Sequence, residues 1–203
     1  MISISKENLA QLPLVTFDGR ITVVDTPAVA RQAVRALSKC PVVGFDTETR
    51  PSFRKGCVHP VALMQISTGE HCFLFRLNKT GVTQPIKEFL ENAEITKIGL
   101  SLHDDFHALD RTTPITPRGF IDLQQMVRQF DIADISLQKI YAILFGGRIS
   151  KAQRLTNWEA DTLSPAQQTY AAIDAWACLK IYEYLKCGAF DHTKCPYQTT
   201  QQQ

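Results

Sequence analysis

The stretch VVGFDTETR, residues 42–50, places two acidic side chains in a run that otherwise has the composition of a buried strand. Asp46 and Glu48 are two residues apart, so on a strand both carboxylates project from the same face. Like charges this close destabilise a fold unless something positive lies between them. Because the run is apolar on both faces, we predict a central strand whose two acidic side chains face a cation.

The composition is that of one soluble globular domain: 203 residues, 44% hydrophobic and 21% charged. A balance of 22 basic against 20 acidic residues gives a net charge of only +2, so a nucleic-acid contact would need a local basic patch. Six cysteines without a CxxC pair indicate buried thiols in a reducing compartment. The N-terminus does not resemble a signal peptide and no apolar run is long enough to cross a bilayer, so we expect a cytoplasmic protein without membrane contact.

Strand patterns dominate the first half of the chain and helical patterns the second. The predicted strands cover 20–26, 41–49, 61–68, 71–77 and 95–102, with a hairpin turn at Gly69-Glu70. The predicted helices cover 27–40, 83–92, 103–111, 120–130, 136–146 and 164–188. This order predicts an α/β or α+β sheet flanked by helices. We expect an extension at 1–19, one domain at 20–190 and a disordered tail at 191–203.

Further acids follow two of these elements. Tyr170 and Asp174 share one face of the last helix, which starts with Ser164, Pro165 and Gln167 as a capping box. Asp104 and Asp105 open the helix after the strand KIGLSL. Each pattern alone fits an ordinary helix surface or a helix cap.

Together with Asp46 and Glu48, these acids form a set of hard oxygen ligands. Functional residues of open α/β sheets lie where strands end and helices begin, so the acids can converge. Such ligands suit Mg²⁺ or Mn²⁺ better than zinc, and two such ions support phosphodiester hydrolysis.

At this point the sequence resembles a known family. FDTET, KIGLSLHDDFHAL and YAAID look like the three motifs of the DEDDy 3′→5′ exonucleases, which belong to the DnaQ-like group of the ribonuclease H-like superfamily. The order is similar to that of ribonuclease D and Werner-type exonuclease domains, and the likeness extends over about residues 20–186. Family members often have Ser where this chain has Asn157.

The resemblance implies a ribonuclease H-like fold, with a mixed five-stranded sheet and helices on both sides. It implies that Asp46 bridges two Mg²⁺ or Mn²⁺ ions. Glu48 and Asp174 would complete the shell of the first ion, and Asp105, selected over Asp104 by the family's spacing, would hold the second through water. Tyr170 would align the attacking water. The implied reaction releases nucleoside 5′-monophosphates from the 3′ end of RNA or DNA.

Basic residues near these motifs are candidates for substrate binding. Arg50, Arg54 and Lys55 follow the acidic strand, and Lys151 and Arg154 form a second group. A solvated loop is the default interpretation of such clusters, but their position makes phosphate contact a reasonable hypothesis. Phe53 could stack on a base, although a loop Phe more often packs on its own domain.

Four alternatives accompany this interpretation. A nucleic-acid-binding module could keep the fold without turnover, or the chain could be the exonuclease subunit of a larger complex, with protein partners unknown. His103 and His107 echo the HExxH helix of zinc proteases, but Asp104 is too short to replace the Glu and no third ligand follows. His103-Asp104 could also suggest an HD-type phosphohydrolase, but the other histidines of the chain do not complete such a site. Nothing in the sequence separates RNA from DNA, since no residue reports a 2′-hydroxyl contact.

Overall fold

The computed structural model describes residues 1–54, 56 and 58–198. Among these residues, six strands form one mixed sheet with helices on both faces. The strands are β1 (Arg20–Val24), β2 (Val42–Thr49), β3 (Val61–Ser67), β4 (His71–Phe75), β5 (Thr96–Gly99) and β6 (Phe120–Asp122). The helices are α1 (Lys6–Gln11), α2 (Pro27–Leu37), α3 (Leu77–Thr80), α4 (Gln84–Glu91), α5 (Leu102–Asp110), α6 (Leu123–Met126), α7 (Leu137–Phe145) and α8 (Pro165–Lys186). Single 3₁₀ turns occur at Val127–Phe130 and His192–Lys194.

The sheet order is β1-β4-β3-β2-β5-β6, so β2 is central as predicted. It pairs antiparallel with β3 and parallel with β5, and β3 and β4 form the predicted hairpin. The predicted α/β class is confirmed.

The predicted strand count of five is wrong, because residues 120–122 form a sixth strand. We predicted a helix over 120–130, but β6 pairs parallel with β5 and α6 starts only at Leu123. Asp122 ends the strand and caps the helix, since its side chain accepts a hydrogen bond from the Gln124 N–H at 2.8 Å. The apolar residues after Asp122 follow helical spacing, and that pattern concealed a strand of three residues.

The two faces of β2 serve different purposes. Val43 and Phe45 are fully buried in the core that the sheet shares with α2, α4 and α5. Gly44 faces α8 on the opposite side, and a Cβ atom there would lie 1.9 Å from the carbonyl oxygen of Ala175. The absent side chain therefore allows α8 to cross the sheet in direct contact with β2.

Both ends of the described chain contact the domain. Ile2 forms isolated bridges with Ile132 and Gln198, and its side chain is buried. Residues 192–194 form a 3₁₀ turn within the segment assigned to the tail, and residues 199–203 lie outside the described residues. The boundaries at 19 and 190 stay a prediction.

In the part of the chain that the structure covers, no helix combines the length and the apolar character needed to cross a membrane. The five cysteines described there are free thiols, and Cys72, Cys178 and Cys195 are buried as the sequence predicted.

Candidate active site

Three carboxylates converge where β2 passes beneath α8. One ligand oxygen each from Asp46, Glu48 and Asp174 can be chosen so that all three lie within 4.8 Å of one another. The register between β2 and β3 shifts after Glu48, which pairs with Leu63, while Thr49 pairs with Val61. Such an irregularity bends a strand and re-aims its side chains, and here it lies directly at the acids.

Helix α8 supplies Tyr170 and Asp174 from one face, one turn apart. Its start is fixed by the predicted capping box: the Ser164 hydroxyl accepts a hydrogen bond from the Gln167 N–H, and the Gln167 side chain accepts one from the Ser164 N–H. Trp158 is fully buried, and its ring packs on that of Tyr170 with centroids 5.9 Å apart. One side of the Tyr170 ring therefore packs against the core.

Asp105 approaches the acids from the other face of the sheet. Its carboxylate accepts a hydrogen bond from the hydroxyl of Thr47, which lies between Asp46 and Glu48 on β2. It is not one of the three acids that share the 4.8 Å cluster. The side chain of Asp104, by contrast, is 90% exposed and points to His103.

The turn before α5 sets the position of Asp105. Ser101 has φ 61° and ψ 38°, a left-handed conformation that is rare for residues other than Gly, Asn and Asp. The Asp122 carboxylate holds this turn by accepting hydrogen bonds from the N–H groups of Ser101 and Leu102, at 3.2 and 3.0 Å. Asp122 thus fixes the start of the helix that carries Asp105.

Burial raises the pKa of the acids on β2. For Asp46, burial raises the pKa well above its ordinary value, and repulsion from Asp174, Asp105 and Glu48 adds to the effect. Burial, followed by repulsion from Asp174 and Asp105, raises the pKa of Glu48 to about 9, and Arg154 partly offsets this. Both carboxylates therefore favour a proton unless a cation replaces it.

The acids contributed by the helices follow the same trend. Burial raises the pKa of Asp174 to about 7, against the opposing effects of a hydrogen bond with Tyr170 and the charge of Lys151. Burial raises the pKa of Asp105 to about 6, opposed by its hydrogen bond with Thr47. The pKa of Tyr170 is raised above 10, first by burial and then by repulsion from Asp174 and Glu48, so the phenol is neutral at pH 7.

A cavity of about 230 Å³ gives access to this site. Lys151 and Arg154 line it together with Asp46, Glu48, Tyr170 and Asp174. A cavity of about 760 Å³ lies between the N-terminal segment, α7 and the other face of α8, and none of the predicted acids lines it. Cavity size alone therefore does not locate the chemistry.

The other predicted substrate-binding residues lie on the loop after β2. Arg50 forms an ion pair with Glu159 at 3.2 Å, and it lines a shallow surface cavity with Phe53 and Arg54. Phe53 is 84% exposed, so the expectation that it packs on its own domain is wrong. Lys55 lies outside the described residues.

Sequence reasoning missed three residues of the site. Gly44 admits α8, Thr47 binds Asp105, and Gln65 pairs directly with Asp46 across β2 and β3. Gln65 is fully buried, and its side-chain amide has no hydrogen-bond partner among the described residues. A lone amide in the apolar run VALMQIS and a glycine in a buried strand were the available signals.

The donor set fits divalent cations that prefer oxygen. Asp46, Glu48 and Asp174 offer only carboxylate oxygens, and their repulsion is relieved when positive charge lies between them. No cysteine or histidine belongs to this cluster in the described chain.

Comparisons with known proteins agree with this geometry. A family model described as 3′-5′ exonuclease matches residues 21–187. The mouse bifunctional 3′-5′ exonuclease/ATP-dependent helicase WRN is 31% identical over 86% of this chain, which spans 13% of that protein. A 3′-5′ exonuclease of Arabidopsis thaliana is 29% identical over 90% of this chain and 69% of the relative.

A solved structure confirms the ribonuclease H-like fold. Escherichia coli RNase D, an exoribonuclease involved in structured RNA processing, superposes with a TM-score of 0.74 at 23% identity, over 83% of this chain and 44% of that one. The family model covers far more than half of the sequence. The chain belongs to the 3′-5′ exonuclease family.

Proposed function

We propose that this chain is a two-metal-ion 3′→5′ exonuclease that releases nucleoside 5′-monophosphates from the 3′ end of RNA or DNA. The observation that carries the proposal is the convergence of Asp46, Glu48 and Asp174 within 4.8 Å, in a chain of this family. These acids line an accessible cavity together with two cations and a tyrosine. This arrangement supports a site in which metal ligands, a hydroxyl that would orient water and cations that would contact phosphate lie in one place.

Mg²⁺ or Mn²⁺ would be held by Asp46, Glu48 and Asp174, with Asp105 beside them as the candidate for the second ion. When bound, such ions polarise the phosphodiester and stabilise the charge on the attacking and leaving oxygens. The raised pKa values of the acids support this assignment, because carboxylates that repel one another gain most from a cation.

Tyr170 would orient the attacking water. Its pKa is raised, so the hydroxyl stays protonated at neutral pH, where it can donate a hydrogen bond to one oxygen and accept one from another. Packing against Trp158 limits the freedom of the ring, which lowers the entropy lost when the water is aligned.

Basic residues would bind the phosphates of the strand end. Lys151 and Arg154 line the cavity next to the acids, and Arg50, Arg54 and Lys55 belong to the loop that leaves β2. The exposed ring of Phe53 is available for stacking on a base. The cations would contact phosphates and the ring would contact the faces of bases, and neither contact depends strongly on base identity. We therefore expect nucleic-acid binding with little sequence preference.

RNA and DNA are both candidate substrates. The RNase D that shares the fold is named as an exoribonuclease, whereas the WRN relative is named as an exonuclease and helicase.

The test is degradation of matched RNA and DNA strands of one sequence, labelled at the 5′ end, with Mg²⁺, with Mn²⁺ or with EDTA. We expect a ladder that shortens from the 3′ end, nucleoside 5′-monophosphates as products, and no reaction in EDTA.

Asp174→Asn should lose nearly all activity. Glu183→Gln provides the matched control, because Glu183 is an exposed acid on the same helix. Equal activity of Asp174→Asn and wild type would overturn the proposal.

A further inference from the structure

The exposed side of α5 carries a pair of histidines that the proposed function does not use. Nε2 of His103 and Nε2 of His107 lie 3.2 Å apart, and their ring planes are 78° to each other. Both side chains are exposed and one helical turn apart. Two nitrogens of this kind either share one hydrogen bond or chelate one metal ion.

The separation of the two nitrogens fits chelation. Zn–N bonds of about 2.05 Å that span this gap would meet at about 103°, between the ideal tetrahedral and octahedral angles. The spacing of the histidines at i and i+4 gives this bite without a change of the helix backbone.

A carboxylate lies beside the first histidine. Nδ1 of His103 lies 3.5 Å from the carboxylate of Asp104, on the side of the ring that faces away from His107. A carboxylate beside one ring nitrogen favours the tautomer with its hydrogen there, which leaves the other nitrogen free to bind a metal. Asp104 therefore has the position of an outer-shell partner in a carboxylate–histidine–metal arrangement.

The pair is separate from the carboxylate centre. His103 and His107 each lie two residues from Asp105, which corresponds to about 200° around a helix in either direction. The histidines thus occupy the side of α5 opposite Asp105, whose carboxylate is turned toward Thr47. No third metal-binding side chain joins the pair in the described part of the chain, so its remaining coordination positions are open.

From this geometry we propose that His103 and His107 bind a transition-metal ion of the zinc, nickel or copper class. Imidazole nitrogens suit these ions, whereas the oxygen ligands of the other centre suit Mg²⁺ or Mn²⁺. The two centres therefore differ in the ions they select, and the proposal does not depend on nuclease activity.

The test is Zn²⁺ titration of protein labelled with ¹⁵N at histidine, in excess Mg²⁺ to occupy the carboxylate centre. We expect the Nε2 signals of His103 and His107 to shift together and saturate, with those of His59, His71 and His192 unchanged. His107→Gln should weaken Zn²⁺ binding roughly tenfold or more, because one of two protein ligands is lost. Both histidines are exposed, so the variant should keep the wild-type circular dichroism spectrum.

The control is His192→Gln, which removes an exposed histidine that is not paired with another. It should bind Zn²⁺ as tightly as wild type. If His107→Gln binds Zn²⁺ with wild-type affinity, or the two Nε2 signals do not move, the contact is a hydrogen bond only and the proposal is overturned.

Discussion

The hydroxyl of Thr47 donates a hydrogen bond to the carboxylate of Asp105. Thr47 separates Asp46 from Glu48 on β2, and its side chain faces the opposite side of the strand from theirs. Two elements that are far apart in sequence, the central strand and the helix after β5, are thereby joined at the level of the acids. Asp105 owes its position to this contact and to the turn held by Asp122.

Thr47→Val should lower nuclease activity roughly 10-fold to 100-fold, because it removes the group that orients Asp105 while it keeps the shape of the side chain. Thr47→Ser retains the hydroxyl and should recover most of the activity. The measurement is kcat and its dependence on Mg²⁺ concentration. Thr96→Val, at the start of β5, is the control and should behave as wild type. Equal loss in Thr47→Val and Thr47→Ser would assign the effect to strand packing.

Gly44→Ala should reduce stability and activity together. The added Cβ would lie 1.9 Å from the carbonyl oxygen of Ala175, and backbone cannot yield as a flexible side chain does. Overpacking of this kind costs about 1–3 kcal/mol, or more, in the free energy of unfolding, and it moves Asp174 away from β2. Thermal denaturation and the nuclease assay measure the two effects.

Gly188→Ala is the comparison for this prediction. Gly188 follows α8 with φ 72°, so alanine is strained there, but nothing lies within 4 Å of the added Cβ. This variant should lose stability and keep its activity per folded molecule. If Gly44→Ala also keeps full activity per folded molecule, close approach of α8 is not what aligns the acids.

The main features of the fold were predictable because they depend on local patterns. β2 was recognisable as a central strand from its apolar residues on both faces, and α8 from the capping box at Ser164 and the glycine at 188. β6 was not recognisable, since three residues carry too little alternation to stand out beside the helical spacing that follows.

The site was predictable to the extent that its residues recur in motifs. The motifs predicted four site residues, and the structure brings them together in one cavity: Asp46, Glu48, Tyr170 and Asp174. The supporting contacts of Thr47 and Gln65 join different strands and helices, so they depend on register and packing that local sequence does not encode.

Metal-free protein should lose stability as the pH rises. The carboxyls of Asp174 and Glu48 have a folded-state pKa of about 7 and about 9, above the value of about 4 expected in the unfolded chain. Between pH ~4 and the folded-state pKa values, the folded state therefore binds more protons than the unfolded state. The contribution of these groups to stability is complete below pH ~4 and is lost as the pH rises through the folded-state pKa values.

Urea denaturation in EDTA at pH 5 and at pH 8 measures this loss. Asp174→Asn should show a smaller decrease than wild type, because one of the titrating groups is gone, and Glu183→Gln should match wild type. Added Mg²⁺ should reduce the decrease in wild type. Identical decreases in Asp174→Asn and wild type would exclude Asp174 as a source of the pH dependence.

Tyr170→Phe should lower kcat about 100-fold, the range expected when one group that aligns or activates water is lost. KM and the dependence on Mg²⁺ concentration should change little, because the acids and the basic residues remain. Tyr182→Phe is the control on the same helix; it loses a hydrogen bond with Lys186 at 3.0 Å and should keep its activity. A rise in KM without a fall in kcat would instead assign Tyr170 to substrate binding.

Arg154→Gln and Lys151→Gln should weaken nucleic-acid binding with little dependence on sequence. Both cations line the cavity of the acids, where a phosphate of the strand end would lie. Each phosphate contact that is lost should raise the dissociation constant and lower the slope of log K against log salt concentration by about one. Binding to a labelled strand, measured at several salt concentrations with Ca²⁺ in place of Mg²⁺, gives both quantities.

Arg35→Gln, which removes an exposed cation on α2, should leave the slope unchanged. An unchanged slope in Arg154→Gln and Lys151→Gln would mean that these cations serve only to balance the charge of Glu48 and Asp174.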